Sequence, residues 1–263
     1  DHSQGNAAYR AAGAKVVASK MTRDLMAQNT GQRLHASLDP SGHSFSGQPH
    51  VPTLLAAARE RLAKAPATDK AVVEDQIRQL EAFAAEMKNY SPVLPSITFD
   101  KQYVIKDKAH DIHVQFHGRA HTAGDVAIYC PQRKVVATGD MIMGFTPFLA
   151  DGYPKDWPKT IQSVSKLDFD FVLPGHGRVQ QGRQHMNELG AYITEVTQRV
   201  EDGKKAGQSV ADLQRTITAA SLKSLSNEYV AFLLGPNAQN AMTTMQTRVN
   251  TNIEHIYDRL DKA

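Results

Sequence analysis

The sequence predicts an α/β fold, and three observations carry that reading. Between Ile97 and Thr138, Gly, Pro and polar residues cut the chain into five short apolar or alternating segments, which is the texture of strands. On both sides of that stretch, apolar residues recur at steps of three and four. Val73, Ile77, Leu80, Phe83, Met87 and Tyr90 form one stripe, and Met242, Met245, Val249, Ile253, Ile256 and Leu260 form another. The length, 263 residues with 41% hydrophobic, suffices to bury a sizeable core. No apolar run approaches the roughly 18 residues needed for a membrane span.

Taken in order, residues 3–12 read as a helix start, 14–19 as a short strand and 20–28 as a second helix. Residues 35–52 are rich in Pro, Gly, Ser and His and read as a loop. Leu55, Ala58 and Leu62 mark a short helix, and the 73–90 stripe a longer one ended by Pro92 and Pro95. The strands are expected at 97–100, 103–107, 111–117, 125–130 and 134–138, close enough for a mostly antiparallel sheet. A helix over 157–167 and a strand over 170–173 lead into Pro174-Gly175-His176-Gly177. The remainder reads as helical: Met186, Leu189, Ile193, Val196 and Val200 in one stripe, then 209–234 closed by Gly235-Pro236, then the 242–260 stripe. The stripes need partners, which are the main body, each other or a second copy of the chain. This organises the chain as a domain over 1–180, with a helical insertion at about 48–91, followed by a helical extension over 181–263.

Thirty basic against 27 acidic residues give a net charge of +3, too mild for nucleic acid to be the default partner. A single cysteine excludes a disulfide framework and a cysteine-rich zinc module. Cys130, in a strand, reads as a small hydrophobe and not as a nucleophile. Four places combine metal-competent side chains with turn residues: Asp1-His2, His121-Thr122-Ala123-Gly124-Asp125, Gly139-Asp140 and Pro174-Gly175-His176-Gly177. The last three adjoin short strands, so their side chains fall at a sheet rim where loops converge. Imidazole and carboxylate suit a divalent ion such as zinc, and a carboxylate can bridge two ions.

In that order these residues resemble the metallo-β-lactamase superfamily, the αββα hydrolases. Asp1-His2 resembles the end of that family's His-x-His-x-Asp-His motif. His121 in GRAHTAGD resembles its third histidine, Asp140 in VVATGD its bridging carboxylate, and His176 in FVLPGHG its terminal histidine. The resemblance covers about 1–30 and 96–180. It implies a four-layer αββα sandwich and a site of Asp1, His2, His121, Asp140 and His176 holding two zinc ions, with iron or manganese as other occupants. The motif's His-x-His half would lie before Asp1, so the chain is expected to begin inside its own metal motif.

The implied reaction is hydrolysis of an ester, amide, lactone, β-lactam or thioester bond of a small organic substrate by a metal-activated hydroxide. Asp1 would orient that nucleophile or take its proton. The competing expectations are a phosphodiesterase or oxidative chemistry on the same scaffold, and a non-catalytic chain that keeps the scaffold without the full site. The expected partners are the small-molecule substrate and either a homodimer or a companion N-terminal segment, with no nucleic acid. The compartment is left open, with the periplasm or secretion favoured over the cytoplasm.

Overall fold

The computed structural model describes residues 3–39 and 49–261. They fall into two compact units, Asp1–Ala18 with Thr22–Thr98, and Ser19–Met21 with Phe99–Ala263. The mixed α/β class is as the sequence predicts, with one sheet of two strands and one of six among helices.

In the first unit, helix α1 (Asn6–Ala11) precedes strand β1 (Val17–Ser19), and β1 pairs with β2 (Ile97–Phe99). The helix expected over 20–28 runs further. Helix α2 (Lys20–Leu25) passes through a π turn (Met26–Thr30) into α3 (Gly31–Ala36), because no proline intervenes and Gly31 keeps a helical φ of −62°. Helix α4 (Val51–Lys64) opens with Pro52 in its first turn, where a missing N–H costs nothing. The expected 35–52 loop is therefore shorter at both ends, and its 40–48 portion lies outside the described residues. Helix α5 (Ala67–Met87) carries the expected stripe as far as Met87, with Tyr90 beyond its end; Val73 and Met87 are buried, and it packs against α4, whose Val51 and Ala58 are buried.

The second unit is built on strands β3 (Gln102–Ile105), β4 (Ile112–Gln115), β5 (Ala127–Cys130), β6 (Val135–Met143), β7 (Phe171–His176) and β8 (Gln180–Gln181), in that spatial order. Every neighbouring pair is antiparallel except β6 and β7. A parallel pair needs a crossover, and the connection here carries helix α6 (Trp157–Val164). The period-2 alternation sorts the strands into two faces. Tyr129, Val136 and Val172 are directly paired neighbours and are all buried. The alternate row, Ile128, Ala137 and Leu173, lies on the opposite face and is more open.

The buried face is covered by α6 and by helices α7 (Gln184–Lys205), α8 (Val210–Thr216), α9 (Asn227–Leu234) and α10 (Ala241–Arg259). The stripe of α7 and that of α10, represented by Met245, Val249, Ile253 and Ile256, enter one cluster with Val136 and Val172. Each fully buried side chain of this size contributes about 1.5–3 kcal/mol relative to exposure. The predicted helical stretch 209–234 is divided in three by its own caps. Ser209, Thr218 and Ser226 each accept from the amide three residues on, starting α8, a 3₁₀ turn (Ala219–Ser221) and α9. No helix among the described residues is long and apolar enough to cross a membrane.

Candidate functional site

Strand β6 runs past its predicted end at 138 because Gly139 forms a bulge instead of a turn. Its φ of +52° is open to glycine, and the β6–β7 register shifts on both sides of it. The bulge breaks the alternation that marks a strand in sequence, and it brings Asp140 to the end of β6 beside the parallel β7. In β7, Pro174, Gly175 and His176 continue the strand to its C-terminal edge, where Met143 is the register partner of His176. A side chain at 175 would overlap Asp140 Oδ1 and stand 2.7 Å from the Gly139 carbonyl carbon, so only glycine lets the two strands pass this closely. The third member, His121, comes from the loop joining β4 to β5.

The three side chains converge. His121 Nε2 lies 3.6 Å from Asp140 Oδ2, and His176 Nε2 lies 3.5 Å from Asp140 Oδ1, so each carboxylate oxygen faces one imidazole. His121 Nδ1 is 3.2 Å from the Phe148 carbonyl oxygen. A carbonyl only accepts, so Nδ1 carries the hydrogen, and in the neutral ring Nε2 presents a lone pair toward the carboxylate. Two acceptors facing each other across 3.6 Å require a cation or a proton between them. Two donors sharing a tetrahedral zinc, each at about 2.0–2.1 Å, stand roughly 3.3 Å apart, close to both separations.

The neighbourhood fixes these rings. Trp157, fully buried, donates its indole N–H to the Met141 carbonyl at 2.8 Å and meets the His121 ring edge-on at 5.6 Å. It packs beneath the site, and Asp156 takes the N-cap position of α6. Phe145 lies 5.4 Å from His176, ring to ring. Thr122 and Asp125 shape the loop that carries His121. The Asp125 carboxylate accepts from the Thr122 amide at 2.9 Å and from the Thr122 hydroxyl, while Phe148 holds the ring. Burial pushes the Asp125 carboxyl above its ordinary value, against those donors. Arg119 pairs with Asp156 at 2.8 Å and stacks on Tyr153.

Of the five residues expected from the sequence, His121, Asp140 and His176 are brought together, and Asp1 and His2 lie outside the described residues. Among the described residues, no group of three His, Cys, Asp or Glu side chains is arranged to hold a metal ion by itself. The remaining strand-region histidines engage other partners: His117 binds Ser163 at 2.9 Å, His110 meets Arg133 at 2.5 Å, and His113 stands edge-on to Tyr129. Cys130 is a free, half-buried thiol. The Phe148 carbonyl was invisible to sequence reasoning, because a backbone acceptor leaves no residue-type signature.

Residues 2–176 match the family model described as Metallo-beta-lactamase superfamily. Over 100 residues the chain is 28% identical to a metallo-beta-lactamase type 2 of Elizabethkingia meningoseptica, covering 35% of this chain and 40% of that protein. The chain thus spans about two fifths of the length of this curated relative. Among solved structures, it is similar to the sec-alkylsulfatase Pisa1 from Pseudomonas sp. at 19% identity, covering 64% of this chain and 27% of that one, with a TM-score of 0.46. It is also similar to a metallo-beta-lactamase from Pontibacter korlensis at 23% identity, covering 55% and 78%, with a TM-score of 0.35. With the matched span running from His2 to His176 and covering well over half of its length, the chain belongs to the metallo-beta-lactamase superfamily.

Proposed function

We propose that this chain is part of a metal-dependent hydrolase that cleaves an ester, amide, lactone, β-lactam or thioester bond of a small organic substrate. The observation that carries the reading is the carboxylate of Asp140 set between two imidazoles, one of which has its Nδ1 held by the Phe148 carbonyl. His121, Asp140 and His176 would hold the metal, with Asp1 and His2 as the further ligands. When bound, zinc or a similar divalent ion supplies Lewis acidity and a water deprotonated near neutral pH. The Phe148 carbonyl orients the His121 ring, and Trp157 and Phe145 pack against the two rings. Asp1 would orient the attacking water and receive its proton.

The test is metal content and turnover on the purified protein, across a panel of an ester, a lactone, a thioester and a β-lactam. His176→Ala is expected to lower both bound metal and metal-dependent hydrolysis by about 100-fold or more. Hydrolysis that persists at the same rate after verified metal removal would overturn the assignment. The competing reading is a non-catalytic chain on the same scaffold. Bound metal with turnover decides against it.

A further inference from the structure

The segment that carries Phe145 and Phe148 has a second side. Toward helix α10 it walls a cavity of about 310 Å³, lined by Phe145, Thr146, Pro147 and Phe148 opposite Arg248 and Asn252. That volume is at the lower end of the range for small-molecule sites. Three of its eight lining residues are apolar and five are polar, and Arg248 is the one cation there among the described residues. Its Nη1 donates to Thr146 Oγ1 at 3.2 Å, and that hydroxyl is in turn 3.8 Å from Met245 Sδ. Asn252 is committed elsewhere, its amide donating to Tyr192 at 2.9 Å.

Arg248 shares with Arg133 a single side-chain partner that is not a carboxylate, and differs in this from several arginines of the unit. Arg119 and Arg215 each have a carboxylate, Asp156 and Asp212. Arg259 spends its donors on the Gly152 and Asp151 carbonyls. Among the described residues, Arg248 has the Thr146 hydroxyl and no carboxylate. A guanidinium offers five N–H donors in a fixed fork, and one hydroxyl takes only one of them. A guanidinium at the edge of an apolar wall, with donors beyond the one its hydroxyl partner takes, can present two parallel N–H groups to an oxyanion.

We infer that this cavity recognises an oxyanionic group borne on an apolar body, with Arg248 as the residue that binds the anion and Phe145 and Phe148 as the walls for the body. The same two aromatics reach the imidazoles: Phe145 faces His176, and the Phe148 carbonyl holds His121. A molecule seated here would touch Phe145 and Phe148, the residues that meet the two imidazoles, and not the imidazoles themselves. Its role as substrate rests on the function proposed above, whereas its binding does not. Arg248 lies beyond residue 176, outside the span that matches the family, so the family match does not assign it.

The experiment is calorimetric binding of phenylacetate and of the neutral phenylacetamide to the whole chain, followed by Arg248→Gln, Arg248→Lys and Thr146→Val. Phenylacetate is expected to bind at least about tenfold more tightly than the amide, with an advantage that shrinks as salt rises. Arg248→Gln should erase that preference while leaving amide binding unchanged, which shows the cavity still formed. Arg248→Lys should keep part of it, and Thr146→Val should weaken it less than Arg248→Gln. Equal affinity for acid and amide in the native chain, or an undiminished preference in Arg248→Gln, overturns the inference. A preference abolished by Arg248→Gln, with no metal-dependent hydrolysis sensitive to His176→Ala, would leave the anion site standing and remove the catalytic reading alone.

Discussion

Gly175 is the residue on which the spacing of the candidate site depends, since it lets β7 run alongside Asp140 with no Cβ in the way. Gly175→Ala adds one methyl group against backbone and a carboxylate, neither of which is the loose end of a flexible chain. Overpacking of this kind costs about 1–3 kcal/mol, and the cheapest relief is to displace Asp140. The expected outcome is a protein that folds with a lowered melting temperature and loses about 10–100-fold in metal affinity. Native metal content in that variant would show that Asp140 tolerates displacement. His121, Asp140 and His176 were all legible in the sequence because their residue types and turn contexts are distinctive. Arg248 was not, because it sits between Met245 and Val249 on an ordinary helix and belongs to no motif.

Among the elements, α7 is tied to the loop after α8 by one carboxylate. Glu195 accepts from the Lys223 amide at 3.0 Å and the Ser224 amide at 2.8 Å, holding the turn that leads into α9. Burial alone would raise its pKa, but the Ser224 and Lys223 donors outweigh burial and leave it below the ordinary value. A carboxylate whose folded pKa is depressed contributes stability that is complete above its unfolded pKa and is lost as pH falls through the lower folded one. Glu195→Gln is therefore expected to cost about 1–2 kcal/mol at neutral pH, and the difference from the native chain should narrow in acid below the ordinary carboxylate range. Thermal melts at pH 7 and pH 3 check both parts. The helix boundaries here were partly readable, since Ser209 and Ser226 are cap residues in the sequence itself. The extension of β6 was not, because the Gly139 bulge erases the alternation by which a strand is recognised.

On the scale of the second unit, both faces of β5, β6 and β7 are apolar, although one is far more open. Ile128 and Leu173 flank Ala137 in one cross-strand row, and Phe171 pairs with Val135 in the next; Ile128, Phe171 and Leu173 are each about 40% exposed. A contiguous apolar row on a sheet face attracts apolar molecules. The chain of residues 1–263 is expected to enhance the fluorescence of an apolar dye, and Ile128→Thr with Leu173→Thr should remove at least about half of that signal with little change in melting temperature. A signal unaffected by the pair would place the dye elsewhere.

By itself the sequence determined the α/β class, the helical stripes, the strand-rich middle and the ordered set of metal-competent residues. These are carried by periodicity, punctuation and residue type, which are local properties of the chain. Only the tertiary structure decided that α10 packs into the same core as the sheet, that Gly175 brings Asp140 and His176 together, and that the Phe148 carbonyl selects the His121 tautomer. Those facts arise between segments far apart in the chain, through backbone atoms and close approaches that no single residue type announces.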